Sequence, residues 1–167
     1  MKPDGSVQSE LEQLAARVGA ALEQRGWLLV TAESCTGGWV GQVVTSIPGS
    51  SRWYERGYVT YSNAAKQELL DVTPAILAAH GAVSEQVVLA MADGALRHSH
   101  AHIAAAITGV AGPDGGTATK PVGTVWVGWA VRGESSNARC FVFPGDRAQV
   151  RAAAVRAALD GVMARAT

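Results

Sequence analysis

Apolar positions along the chain follow two different periods. Leu11, Leu14, Val18 and Leu22 recur at helical spacing, and Gly26 follows as a stop. Trp27 to Ala32 is a short continuous run of apolar and β-forming residues, which predicts a buried strand. Val40, Val43, Val44 and Ile47 return to helical spacing until Pro48-Gly49-Ser50-Ser51 ends the pattern. A second strand is predicted around Tyr58 to Tyr61, then a short helix capped at Ser62-Asn63 that carries Lys66, Leu69 and Leu70. Thr73-Pro74 has the form of an N-cap with Pro at the first helical position, and Gly81 that of a stop. Ser84-Glu85 opens a clearer helix with Val87, Val88, Met91, Ala95 and Leu96 on one face. Ile103 to Ile107 predicts a third buried strand, and Val122 to Val131 and Ala138 to Phe143 two more, joined tightly at Arg132-Gly133-Glu134. Asp146 caps a last helix with Val150, Ala154, Ala157 and Val162 facing inward.

The order α-β-α-β-α-α-α-β-β-β-α predicts an α/β fold, a three-layer α/β/α sandwich around one sheet. The closing β-hairpin makes that sheet mixed, because a tight hairpin pairs its strands antiparallel. No repeat, linker or compositional shift divides residues 1–167, so a single domain is expected. Composition then excludes whole classes. With 48% hydrophobic residues and fourteen basic against fourteen acidic side chains, the chain is not disordered as a whole. No basic block is present, whereas nucleic-acid binders concentrate Lys and Arg to meet phosphates, so no nucleic-acid partner is expected. Two cysteines, Cys35 and Cys140, are too few for a disulfide framework. No apolar run approaches the ~20 residues of a membrane helix, and the first residues lack the apolar stretch of a signal peptide. A cytoplasmic protein without a membrane partner is expected.

Candidate chemistry gathers where predicted strands end. Glu33-Ser34-Cys35-Thr36-Gly37-Gly38 joins the first strand to a helix, the place where open α/β sheets collect ligands. Ser34 there is a candidate nucleophile, with the backbone amides of the helix start as oxyanion donors. The same hydroxyls also suit plain helix capping, and Cys35 is a competing nucleophile if the helix terminus lowers its thiol pKa. The motif is not a G-x-S-x-G nucleophile elbow. No His accompanies Ser34, but Lys66, on the first turn of the helix after the second strand, could act as base if burial leaves its amine neutral. Only three of the fourteen cations are lysines, Lys2, Lys66 and Lys120, and arginine cannot serve as a base. The Gly-rich stretch Thr108 to Gly116 follows the third strand and could cradle a phosphate, although it matches neither standard phosphate-loop pattern. At Gly145-Asp146-Arg147 a helix N-terminus and an arginine could share a phosphate, or form an ordinary cap beside a surface arginine. His98, His100 and His102 lie close in sequence, but no cysteine or carboxylate completes a metal-ligand spacing, so no metal is expected.

These segments run in order over roughly residues 8–164: Ala32 to Gly38, Gly49-Ser50-Ser51, Gly57 to Asn63 with Lys66, His80 to Ser84, Thr108 to Gly116, Lys120 to Val125, and Gly145-Asp146-Arg147. The series resembles the C-terminal domain family of the competence/damage-inducible protein CinA, and within it the stand-alone nicotinamide-nucleotide amidases. The resemblance implies a mixed five-stranded sheet in an α/β/α sandwich. It also implies deamidation of nicotinamide mononucleotide to nicotinic acid mononucleotide and ammonia, in pyridine nucleotide recycling. Ser34 matches the nucleophile and Lys66 the base, with Tyr61 as a further catalytic position. Cys35, Thr36, Gly37, Gly38, Thr108, Gly109, Ala111, Gly112 and Arg147 match substrate-binding positions, Arg147 at the phosphate end. No cofactor is implied, and a homo-oligomer is left open. The nucleotide-processing N-terminal domain of longer CinA proteins has no counterpart in these residues, so its activity is not expected. The alternatives are a non-catalytic nucleotide-binding module built on the same glycine loops, and a thiol-based sensor using Cys35.

Overall fold

The computed structural model describes residues 5–167. Its elements are α1 (Gly5–Arg25), β1 (Leu29–Glu33), α2 (Trp39–Thr45), β2 (Tyr54–Val59), α3 (Asn63–Leu70), α4 (Pro74–His80), α5 (Glu85–Arg97), β3 (Ile103–Gly109), β4 (Thr124–Val131), β5 (Asn137–Val142) and α6 (Arg147–Ala166). The five strands form one sheet in the order β2-β1-β3-β4-β5. β2, β1 and β3 run parallel, while β4 and β5 are antiparallel to their neighbours, so the sheet is mixed as expected.

Alternation along β3 sorts the core into two layers. Ile103, Ala105 and Ile107 face the cluster built with α1, α2 and α6, and Ala104 and Ala106 face the one built with α5. Small residues on the second face, Ala104, Ala106, Gly128 and Ala130, bring α5 close to the sheet. A Cβ at Gly128 would already lie 3.1 Å from the Val88 carbonyl oxygen. Tightest of all is the α3–α5 crossing, where a Cβ on Gly94 would sit 2.0 Å from the Leu70 carbonyl oxygen. Gly94→Ala is therefore expected to push α3 away from α5 and lower stability by about 2–3 kcal/mol. In thermal unfolding this should read as a fall of about 5–10 °C in Tm. An unchanged Tm would show that the crossing yields without strain.

Caps bear out the sequence expectations closely. Ser62, Thr73 and Ser84 each accept an amide of the first turn of α3, α4 and α5, and Asp146 forms a reciprocal capping box with Gln149 at α6. Three expectations shift. β2 begins at Tyr54 rather than near Tyr58, because this edge strand is half-solvated and its first residues, Tyr54-Glu55-Arg56-Gly57, carry no apolar run. Trp27 stays outside β1, stacked on His102 with the Arg25 guanidinium over its ring. On α6, Ala157 is half-buried, and Val155, Ala158 and Leu159 fill the core beside Val150, Ala154 and Val162.

Candidate active site

Parallel pairing brings the carboxyl ends of β1, β2 and β3 to one edge of the sheet. The chain leaves β1 to one side for β2 and returns to the other side for β3, so the crevice lies at a topological switch point. A cavity of about 290 Å³ opens there, lined by Ser34 and Cys35 after β1, Tyr61, Asn63 and Lys66 after β2, the loop after β3, and Arg147 at the start of α6.

Ser34 follows directly on β1, and its amide is fixed on the Ile107 carbonyl of β3. Lys66 reaches back from the first turn of α3. Its Nζ lies 3.0 Å from Ser34 Oγ and 2.8 Å from the Thr60 carbonyl oxygen. Both side chains are buried, Lys66 at 1% exposure and Ser34 at 8%. No carboxylate forms an ion pair with this amine among the described residues, so burial dominates and pushes its pKa below the ordinary lysine range. An amine so shifted, one hydrogen bond from a serine hydroxyl, has the arrangement that a base and nucleophile require.

Cys35 lines the same cavity but is placed differently. Its thiol is buried, and burial pushes its pKa up to about 11, the opposite of the lowering that a helix terminus alone would give. The amides at the start of α2 are also not free for a ligand. Glu33, buried at the end of β1, turns its carboxylate into that helix. It accepts from the Val40 amide at 2.9 Å, the Gly41 amide at 3.0 Å and the Thr36 hydroxyl at 2.7 Å. The expectation that this helix start binds an oxyanion is thus corrected: the protein's own carboxylate occupies it. Within the turn, the Gly37 amide bonds the Ser34 carbonyl, and the Cys35 and Thr36 amides have no carbonyl acceptor among the described residues.

Arg151 of α6 holds the turn from behind. Its guanidinium donates to the Cys35 carbonyl through Nε and to the Thr36 carbonyl through Nη2, each at 3.1 Å, and lies over the Trp39 ring. Thr36, Gly37 and Gly38 do not line the cavity. Thr36 is buried with its hydroxyl on Glu33, and Gly37 and Gly38 take positive φ angles of 60° and 97°, which let the chain turn sharply out of β1. Neither Glu33 nor Arg151 was singled out from sequence. An acidic residue just before a helix start is a readable signal for Glu33. Arg151 has none, since it lies 116 residues from the carbonyl that it grips.

The opposite wall is the loop after β3. Thr108 is buried and donates its hydroxyl to the Ala82 carbonyl at 2.8 Å, while Gly109, Ala111 and Gly112 line the cavity. A Cβ on Gly109 would lie 2.7 Å from a Val125 methyl, so the close approach of β4 requires glycine there. Arg147 closes the far end, donating to the Gly112 carbonyl at 2.8 Å and to the Tyr61 hydroxyl at 3.1 Å. Neither acceptor carries a charge, and no acidic side chain pairs with Arg147 among the described residues. Tyr61 is 62% exposed and contacts Arg147 rather than Ser34 or Lys66. At the N-terminus of α6, the Gln149 side chain accepts the Asp146 amide and the Asp146 carboxylate accepts the Gln149 amide. An anion at this end has the Arg147 side chain to meet it.

The histidines stand apart from this cavity. His98 pairs with Asp71 at 2.6 Å and His102 accepts the Leu28 amide at 2.9 Å. No group of three or more metal-ligating side chains is gathered among the described residues. No helix among them is long and apolar enough to cross a membrane.

A nicotinamide-nucleotide amidohydrolase PncC of Escherichia coli K12 is 56% identical over 154 residues, covering 91% of this chain and 92% of that protein. A protein of the same name from Pseudomonas putida is 50% identical over 154 residues, covering 90% and 93%. The crystal structure of a competence/damage inducible protein from Agrobacterium tumefaciens superposes with a TM-score of 0.91 at 41% identity, covering 98% of this chain and 97% of that one. The CinA C-terminal domain pattern matches residues 11–166, and the chain belongs to the CinA C-terminal domain family.

Proposed function

We propose that this chain is an amidohydrolase that converts nicotinamide mononucleotide to nicotinic acid mononucleotide and ammonia, with Ser34 as nucleophile and Lys66 as base. The 3.0 Å contact between the Lys66 amine and the Ser34 hydroxyl, both buried in one cavity, carries the reading. The names of the relatives supply the substrate class. Neutral Lys66 takes the Ser34 proton as Oγ adds to the carboxamide carbon. The oxyanion so formed faces the Ser34–Gly38 turn, whose Cys35 and Thr36 amides are the remaining donors beside the serine. The Lys66 ammonium then protonates the departing nitrogen, the C–N bond breaks, and ammonia leaves an ester on Ser34. Water enters, Lys66 takes one of its protons, the hydroxide adds to the ester, and Oγ departs with its proton restored.

Arg147 meets the phosphate, and Tyr61 orients it as a positioning residue. Thr108, Gly109, Ala111 and Gly112 form the wall between the two ends. Glu33, Arg151 and the two glycines fix the turn. The product is a pyridine nucleotide carrying a carboxylate, suited to recycling back into the nucleotide pool.

Ammonia release from nicotinamide mononucleotide and from free nicotinamide tests this reading. The mononucleotide should have the higher kcat/KM by about 100-fold, the worth of charge-assisted hydrogen bonds to its phosphate. Equal efficiency on the two would remove the role of Arg147. Tight binding of the nucleotide without turnover would favour the non-catalytic binding module.

A further inference from the structure

The cavity wall carries the Lys66 amine, the Arg147 guanidinium and one carboxylate, that of Asp114. Two of them have partners. Lys66 meets Ser34 and Thr60, and Arg147 meets Gly112 and Tyr61. Asp114 alone of the three forms neither a hydrogen bond nor an ion pair with any described residue, although it stands in the same cavity wall as the Arg147 guanidinium. We propose that Asp114 is a specificity-determining residue that accepts hydrogen bonds from the vicinal hydroxyls of the substrate's ribose. This rests on the reading of the site as a nucleotide amidohydrolase.

Its place in the loop sets its place along the substrate. The loop starts beside the nucleophile, since the Ser34 amide bonds Ile107, the residue before Thr108. It reaches the anion end at Gly112, whose carbonyl Arg147 holds. Asp114 comes two residues after Gly112, in the same cavity wall as the carbonyl that Arg147 holds. The surrounding backbone is anchored: Val110 pairs with Thr124 and Gly123, and Thr117 with Lys120. Gly112 and Gly115 flank Asp114 with φ angles of 84° and 90°.

A bare carboxylate next to a phosphate site would repel the ligand unless something with hydrogen-bond donors lies between. In a mononucleotide with its carboxamide at Ser34 and its phosphate at Arg147, that something is the sugar. A vicinal diol offers two O–H donors, and a carboxylate offers two oxygens, so the pair is charge-assisted and directional. Acidic side chains hold ribose hydroxyls in the same way in dinucleotide-binding folds. The cavity, at about 290 Å³, sits at the small end of ligand sites and suits one nucleotide.

Asp114→Asn and Asp114→Ala in the full chain test this by steady-state ammonia release on nicotinamide mononucleotide and on its 2′,3′-dideoxyribose analogue. On the ribonucleotide, KM should rise about 10- to 100-fold while kcat stays within a few-fold, because the diol is remote from the reacting bond. On the dideoxy analogue, wild type and variants should be equal. Unchanged KM on the ribonucleotide, or the same penalty on both substrates, would overturn the proposal. So would a penalty that disappears only on the dihydropyridine form of the mononucleotide, since the carboxylate would then be sensing the ring's positive charge. Asp114 is exposed, and thermal melting verifies that the variants fold. Absence of turnover by wild type on any of these nucleotides would defeat the hydrolase reading alone. Calorimetric affinities for the same ribo and dideoxy pair would still decide the role of Asp114.

Discussion

Ser34→Ala should lower kcat by about 10⁴-fold or more while leaving the dissociation constant of nicotinamide mononucleotide within a few-fold of wild type. The hydroxyl is needed to make the acyl bond, whereas the groups assigned to hold the nucleotide are Arg147 and the loop after β3. Losing the hydroxyl also leaves the turn intact. Its conformation depends on the Ile107 carbonyl, the Glu33 carboxylate and the Arg151 guanidinium, none of which bonds Ser34 Oγ. Cys35→Ala is the necessary companion. A thiol raised to about 11 by burial is almost wholly protonated near neutral pH and makes a poor nucleophile, so this variant should keep activity within a few-fold. Ammonia release measures kcat, and calorimetry measures binding. If Cys35→Ala abolished turnover and Ser34→Ala spared it, the nucleophile would be the thiol.

What could be read in the sequence, and what could not, follows from the range of the interactions. The caps, the β3 alternation and the α1 stripe depend on residues a few positions apart, so periodicity exposes them. β2 was legible only at its apolar end, because an edge strand covered by little else needs no buried run. Ser34 and Lys66 were nameable as a pair of residue types, but their 3.0 Å contact depends on strand order, which places the end of β2 beside that of β1. The oxyanion expectation at α2 was misplaced for a related reason. A helix start attracts an anion, but the sequence does not say whose, and here Glu33 supplies it from within the chain. Arg151 and the Arg147–Tyr61 contact bring α6 against turns more than eighty residues earlier, beyond the reach of any local pattern.

Lys66→Arg separates a base from a fixed positive charge. Arginine keeps the charge and most of the length but stays protonated at any workable pH, so a base role predicts a loss of about 10³-fold, close to that of Lys66→Ala. Near-wild-type turnover by Lys66→Arg would place the base elsewhere. The pH dependence carries a sign. Burial favours the neutral amine, so the wild-type rate should climb with pH as Lys66 deprotonates and level off with a midpoint below the ordinary lysine range. The same shift couples to folding. Lysine in the unfolded chain holds its proton to a higher pH than Lys66 does in the folded one. Between those two pKa values the unfolded state therefore binds more protons, and stability rises with pH. Below the folded value the cost of the buried charge is fully present, and above the unfolded value it is gone. Urea unfolding of wild type and of Lys66→Met across that window should show wild type gaining stability relative to the variant as pH rises. A difference that stayed flat with pH would mean that Lys66 titrates alike in both states, and the poised amine on which the mechanism depends would not exist.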